Sequence, residues 1–593
     1  YNYNTTPPTP PSHDYNTAPV VYYASKGDQQ MRRQLVLSAV VALTRHHRVV
    51  DGFATSKCRP PILSSPLALV APSLLSMSLP RHEERGEEPV VASDAERYYL
   101  DRFRELFRAS PRDAPRVERI LLISDLHADY PANREWLRDL CRRRSSSSSH
   151  ANDGTNEDAY DGGDAADDNG DTILEPHTMM IVAGDVSHDL DILRWTLRTL
   201  KLKYGEVVYT PGNHELWLDK GQEQPRVATG MDADDHGNSG RCVSSGLGDG
   251  CANSVEKLER VLRLCLEEDV RIGPVRIGAD GENNNEDGSS SNRRNNSNNT
   301  SNDSNDRTLL WVIPLLSWHH SSFDTEPPIE CWGGIPSAQR VMADYRRTTW
   351  PSPLSALDDS VARFIDGLND VVLDLDDIRM DDATPLLTFS HFLPRIELLP
   401  EKRYLSLPTL HSCVGSTFLQ RRLHQFTKSS TDQTDESAAE GRQHLHAFGH
   451  THLSWDAAID GVRYVHVPLA YPREWEQRRR SLEIGSMRGE ETVGRLPVCI
   501  WERPEEGADD GGSAGFPSRW LGGWWSKFYA VMPRRPWRNR MLAPWAAKRF
   551  RQLPGGEIEN FDHVEVEERH RLHSSAPSIS WATGPSLSNA VDS

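Results

Sequence analysis

Five short segments place carboxylate, amide or imidazole side chains just past apolar runs: Ser-Asp-Leu-His (124–127), Gly-Asp (184–185), Gly-Asn-His-Glu (212–215), Ser-His (390–391) and Gly-His-Thr-His (449–452). Two divalent cations ~3.5–4 Å apart can clamp a phosphoryl group and generate hydroxide at neutral pH. Such a pair needs anionic oxygens and neutral imidazoles, with one carboxylate placed to lie between the ions. The five segments offer Asp125, His127, Asp185, Asn213, His391, His450 and His452. Mixed nitrogen and oxygen ligation without thiolate suits Mn, Fe or Zn and does not choose among them. Any one of these residues, alone, reads as a turn former or a satisfied core histidine. The chemistry rests on their number and order.

The elements that must position them are legible in the hydrophobic pattern. Residues 117–124 (VERILLIS), 177–184 (HTMMIVAG) and 206–210 (EVVYT) are apolar strands, and helices follow from about Ala132 and across Leu190–Leu202. Ser93 and Glu96 form a capping box ahead of a helix to about Ala109, with Tyr99, Phe103 and Phe107 at helical spacing. Later strands are 308–316, 385–390, 444–449 and 462–467. Apolar strands alternating with helices imply a sheet covered on both faces, with functional groups on the loops past the strand ends.

At this point the sequence resembles the calcineurin-like metallophosphoesterases, whose signature is this order of motifs: DxH, GD, GNHE, a lone His and GHxH. The resemblance runs over about 120–470 and implies a four-layer α/β/β/α sandwich. It implies that Asp125, His127, Asp185 and His452 hold a first metal, and Asp185, Asn213, His391 and His450 a second. A bridging hydroxide would attack phosphorus in line, and His214 would protonate the leaving oxygen. Glu215 reads as a supporting or helix-start residue. His319, His320, His444 and His446 fall outside the motifs and read as structural, with His319 set apart because SWHH follows a strand end.

Departures bear on the substrate. The protein Ser/Thr phosphatase branch extends Gly-Asp with an Asp three residues on, then Arg-Gly, whereas here Asp185 is followed by Val186, Ser187, His188 and Asp189. The Arg that grips phosphate in that branch is missing, and His188 replaces the carboxylate that would pair with His214. Candidates for the phosphate side are Arg395 and Arg473, although surface arginine is the ordinary reading of both. SDLHAD, SHFLPR and YPREW together resemble an algal and plant subgroup whose substrate is unassigned.

The rest of the 593 residues bounds the organisation. Stretches 151–171, 219–250, 277–306 and 428–442 together carry −17 of the formal net charge of −19, so the remaining chain is close to neutral. That balance speaks against a general nucleic-acid binder and leaves a phosphate-ester substrate open. Eight cysteines without a CxxC pair indicate neither a zinc knuckle nor a disulfide framework. Residues 1–92 read as a disordered N-terminus, 93–505 as the phosphoesterase domain with low-complexity inserts at about 144–171, 219–250, 279–306 and 428–442, and 506–593 as an extension and polar tail.

From Met31 a basic start, a short apolar run and small residues around Phe53 follow signal-peptide grammar, and 52–82 holds no acid. The pair resembles the bipartite plastid presequences of algae with secondary plastids, which predicts a plastid address; the other reading is a cytoplasmic protein with a disordered terminus. Residues 516–551 contain five Trp, nine Lys or Arg and no acid. They suit peripheral membrane contact, stacking of single-stranded nucleic acid, or packing back on the domain. The expectation is therefore a dinuclear metal-dependent phosphoesterase. Its rival is a catalytically silent fold of the same family serving as a protein-binding scaffold.

Overall fold

The computed structural model describes residues 94–142, 174–218, 250–279, 307–373, 384–427, 442–475, 496–504, 515–517 and 523–560. The expected presequence, the four inserts apart from residues 250, 279 and 442, and the tail beyond 560 lie outside these residues.

Two sheets are built from ten of the described strands: β1 (Arg119–Ile123), β2 (Glu175–Ala183), β3 (Tyr204–Thr210), β4 (Val275–Gly278), β5 (Thr308–Pro314), β6 (Leu386–Phe389), β7 (His444–Phe448), β8 (Trp455–Ile459), β9 (Val462–His466) and β10 (Val498–Glu502). The first sheet has the order β10-β1-β2-β3, parallel except for β10. The second has the order β4-β5-β6-β7-β9-β8, with parallel pairing from β5 to β9 and antiparallel edges at β4 and β8.

Period-two alternation makes the second sheet two-faced. Leu310, Val312, Leu387, Phe389, Leu445, Ala447 and Val465 join β1 to β3 in an inner core. Ile313, Leu386, Phe448, Val462 and Tyr464 point into a second core on the outer side. Helices complete the layers: α1 (Asp94–Ala109), α2 (Pro131–Arg142), α3 (Leu190–Lys203), α4 (Ser254–Glu267), α5 (Ser360–Val372), α6 (Thr417–Thr427) and α7 (Trp524–Val531). The helices α2 and α3 pack together on the first sheet, and α6 and α7 supply Leu419, Leu423, Phe426, Phe528 and Tyr529 to the outer core. The result is an α/β/β/α sandwich.

Asp189 caps α3, its side chain accepting from the Asp191 and Ile192 amides. The acid that stands one position late in the Gly-Asp segment is thus an N-cap.

Part of the C-terminal extension packs against the second sheet. Strand β10 completes the first sheet, and α7 returns to the second, where Tyr529 stacks on Trp455 at 6.1 Å and 6°. Trp524, Trp525 and Trp545 are half-buried in that packing, while Trp537 is 59% exposed. Trp520 lies outside the described residues, among which no helix is long and apolar enough to cross a membrane.

The two sheets meet at their strand ends. Past β1, the Ser124 amide donates to Val467 O at 3.0 Å, and the Leu469 amide returns the bond to Ser124 O at 2.9 Å. Past β3, Thr210 Oγ1 donates to Leu315 O at 3.0 Å. The five polar segments converge on this seam.

Candidate metal centre

Backbone conformation places the side chains. Asp125, His127, Asp185, His450 and His452 all take left-handed backbone, with φ of 53°, 41°, 54°, 78° and 56°. Each is a conformation that L-residues adopt at a cost of order 1–3 kcal/mol, and such strain persists where the surroundings over-determine it. Two glycines admit the close approach. A Cβ on Gly184, itself at φ +77°, would meet His391 Nδ1 at 2.5 Å, and one on Gly212 would meet Asp185 Oδ1 at 2.2 Å.

Glu215 ties two of the loops together. Its Oε1 accepts from the Val186 and Ser187 amides at 2.6 and 3.0 Å, and its Oε2 from the Gly212 and Asp185 amides at 2.6 and 3.1 Å. Burial pushes this carboxyl up to about 7, with the Asp185 charge adding to the rise and the amides opposing it.

The seven expected ligands fall into overlapping groups. Asp125, His127 and His452 form one, and Asp185, His391 and His450 another, each with its donor atoms within 4.8 Å. Asp185 also groups with His127 and His214, so it stands between the two. Asn213 joins the second group through Oδ1, 3.0 Å from both His391 Nε2 and His450 Nδ1.

Hydrogen bonding behind these residues shows which atoms face inward. A carbonyl only accepts, so His391 Nδ1, 3.0 Å from Ala183 O, carries a proton, as does His450 Nε2, 3.3 Å from Cys413 O. Asn213 spends its amide hydrogen on Asp344 Oδ1 at 2.8 Å. In the neutral rings, His391 Nε2, His450 Nδ1 and Asn213 Oδ1 therefore present lone pairs to one another, with Asp185 Oδ2 3.3 Å from His391 Nε2. In the other group His452 Nδ1 donates to Glu474 Oε2 at 2.7 Å, which turns its Nε2 toward His127 Nε2 at 2.8 Å. In the group of His391, His450 and Asn213 the acceptors converge without a shared proton, and such atoms are held apart unless a cation lies among them. The donor set fits a metal on that observation.

Electrostatics agree at Asp125, Asp185, His127 and His450 and run the other way at His391 and His452, where burial lowers the rings but neighbouring carboxylates outweigh it. Burial works to raise the Asp125 carboxyl, but the bond from His466 and the nearby His452 and His391 hold it below the usual carboxylate range. Burial likewise opposes ionisation of Asp185, and His391 and His214 overcome it. Burial lowers His127 to about 4 and His450 to about 3, which favours the neutral, ligating imidazole. His391 goes the other way, to about 9, because the charge and hydrogen bond of Asp185 outweigh burial.

His214 stands at the edge of this cluster. Its Nε2 is 3.8 Å from Asp185 Oδ2, its ring lies 3.6 Å from the Trp217 ring at a tilt of 31°, and its buried Nδ1 has no hydrogen-bond partner among the described residues. His188, which replaces the expected carboxylate, is held instead by Asp129, Nδ1 to Oδ1 at 3.2 Å, with Ser187 Oγ on the same oxygen at 2.6 Å.

Of the two arginines expected near phosphate, Arg395 is engaged elsewhere. Glu397 and Asp460 hold its guanidinium at 2.8 and 2.7 Å, so its charge is already matched. Arg473 is exposed and lies 5.3 Å over the Tyr471 ring.

Four residues were missed by sequence reasoning: His466, whose Nε2 donates to Asp125 Oδ2 at 3.0 Å, and Asp344, Glu474 and Tyr471. Glu474 and Tyr471 sit in YPREW beside the Arg473 that drew attention. His319 approaches Asp344, Nε2 to Oδ2 at 3.7 Å, and so backs the site without entering it. His444 Nε2 and His446 Nδ1 share Thr388 Oγ1 at 2.7 and 2.8 Å.

The family model for calcineurin-like phosphoesterases matches residues 118–242, the span of β1 to β3 and the first three motifs. The acyl-carrier-protein phosphodiesterase PptH of Mycobacterium tuberculosis is 48% identical over 42 residues, which is 7% of this chain and 13% of that protein. The crystal structure of the phosphopantetheinyl hydrolase PptH from Mycobacterium tuberculosis aligns at a TM-score of 0.35 and 18% identity, covering 62% of this chain and 94% of that one. That family match lies on the loops that carry Asp125, His127, Asp185, Asn213 and His214, so residues 118–242 of the chain are similar to the calcineurin-like phosphoesterases.

Proposed function

We propose that the protein is a dinuclear metal-dependent phosphoesterase in which His214 is the general acid. The observation that carries this reading is the convergence of candidate ligands in two groups, with Asp185 a member of the second and grouped also with His127 of the first. Asp125, His127, His452 and Asp185 would hold one ion, and Asp185, Asn213, His391 and His450 the other. When bound, such ions polarise phosphoryl oxygens and lower the pKa of water.

The chain's own residues supply the rest. The amide of His214 donates to Asp185 Oδ1 at 3.0 Å, which fixes the acid histidine against the shared carboxylate. Burial pushes the His214 ring well below the ordinary histidine value, with Asp185 pulling the other way. A phosphate ester offsets that shift, because its negative charge favours the protonated ring. His214 Nε2 then holds the proton that the leaving oxygen needs. Trp217 on its face and the backbone bond to Asp185 keep the ring from turning away.

The alternative is a silent scaffold. Silent members of the family lose ligands or the acid histidine, and this chain keeps all eight residues. Turnover of a panel of phosphomonoesters and phosphodiesters by stripped protein reloaded with Mn²⁺, Fe²⁺ or Zn²⁺ separates the two. Diesters belong on the panel because the relative from Mycobacterium tuberculosis is by name a phosphodiesterase. Hydrolysis that depends on added metal is the expected result, and full metal loading without turnover of any ester favours the scaffold.

A further inference from the structure

The phosphate-gripping arginine of the protein phosphatase branch has no counterpart in the Gly-Asp loop, and Arg395 is neutralised by two carboxylates. Another polar atom faces the cluster. The hydroxyl of Tyr471 lies 3.4 Å from His214 Nε2, while its ring lies over His127 at 4.2 Å and meets His452 edge to face at 4.8 Å. One side chain therefore touches the first ligand group and the acid histidine together.

Its placement is built. Ala470, at φ +66°, turns the chain after β9 so that residue 471 comes over the strand ends. Asn133 Nδ2 donates to Ala470 O at 2.9 Å and to Leu126 O at 2.7 Å, while the Ala470 amide donates to Asp125 O at 2.9 Å. The Tyr471 amide donates at 3.2 Å to Glu474 Oε2, the same oxygen that orients His452. Tyr130 packs on the ring at 5.2 Å. A phenol held on this many anchors loses little rotamer freedom when it makes a further hydrogen bond.

We propose that Tyr471 is a catalytic residue whose hydroxyl donates a hydrogen bond to a non-bridging phosphoryl oxygen of the substrate, in the place that a guanidinium holds in the phosphatase branch. No bond is made or broken by Tyr471 and no proton leaves it. This rests on the phosphoesterase reading, because it takes the phosphoryl group to lie between the ligand groups and His214. A neutral donor at a non-bridging oxygen acts on every ester alike, whereas His214 acts on the leaving oxygen.

The test is Tyr471→Phe in the full, metal-loaded chain. Three quantities are read: metals per chain, affinity for inorganic phosphate by calorimetry, and turnover of esters with good and poor leaving groups. The expected result is unchanged metal content, phosphate binding weaker by about tenfold, the effect of losing one charge-assisted hydrogen bond, and an equal drop in kcat/KM for both esters. Phosphate affinity within twofold of wild type overturns the proposal whether or not the wild type turns over any ester. Loss of metal overturns it by making the hydroxyl a support of the ligands. A drop confined to poor leaving groups overturns it by moving the hydroxyl to the leaving oxygen. Absence of wild-type turnover with phosphate bound and Tyr471-dependent defeats the phosphoesterase reading and leaves the oxyanion contact standing.

Discussion

Asn213 Nδ2 donates to Asp344 Oδ1 at 2.8 Å across 131 residues of sequence, and this single bond decides which end of the Asn213 amide faces His391 and His450. Trp217 Nε1 shares the same oxygen at 2.7 Å. Burial pushes Asp344 up to about 6, so its place is maintained by these donors against the desolvation cost. Asp344→Leu removes the acceptor and frees the amide to turn. The expected outcome is 10–100-fold weaker binding of one metal, the usual effect of losing a ligand's supporting partner. Asp344→Asn, whose side-chain oxygen still accepts, should retain most of the affinity. Metal titration of both variants checks this, and equal affinity in the Leu variant would remove Asp344 from the account.

Glu215 accepts four backbone N–H groups from two loops. Glu215→Gln keeps the shape but turns one acceptor oxygen into a donor, which then confronts amides with a hydrogen of its own. Leaving buried amides unsatisfied costs about 1–3 kcal/mol each, so a loss of at least about 2 kcal/mol is expected. The unfolding midpoint of the metal-free protein reads it. An unchanged midpoint would mean that the loops are held by other bonds.

His319, His411 and His444 are lowered to about 3 by burial, far from the ordinary histidine value. The sign follows from linkage. Below about 6.5 the unfolded chain takes up protons at these rings and the folded chain does not, so stability is full above that pH and falls as pH drops toward 3. Each ring contributes up to about 1.4 kcal/mol per pH unit in that window. Midpoints measured from pH 7 to 4.5 should decline, and His444→Gln should make the decline shallower by about one proton. A slope unaltered by that substitution would show that His444 titrates equally in both states.

Asp185 groups with His391 and His450 and also with His127, so it stands between the two ligand groups. Asp185→Asn removes a shared negative charge and should lower occupancy of both ions together with turnover. Metal analysis of the purified variant gives the answer; loss of one ion only would make Asp185 a ligand of a single group.

The strands read in the sequence as continuous apolar runs are all present, because burial on both faces leaves an unbroken signal. Three others carried none. In β8 the Asp456 side chain looks like a turn residue, yet it is buried in a pair with Arg463 at 2.8 Å on β9. Strand β10 pairs with β1 from the far end of the domain, and β4 is four residues long. The candidate ligands could be named because motif order marks them, and the fold brings them together. The residues behind them were not: Asp344, His466, Glu474 and Tyr471 act through contacts formed only when distant loops meet.

His214→Asn separates a general acid from a metal ligand, measured as the rate on a poor leaving group divided by that on p-nitrophenolate, with metals per chain counted on the same sample. The expected result is close to two metals, a ~10²–10⁴-fold slower reaction on the poor leaving group, the usual worth of a positioned general acid, and a much smaller loss on p-nitrophenolate, which needs little protonation. Loss of metal from this variant, or equal slowing on both esters, would contradict it.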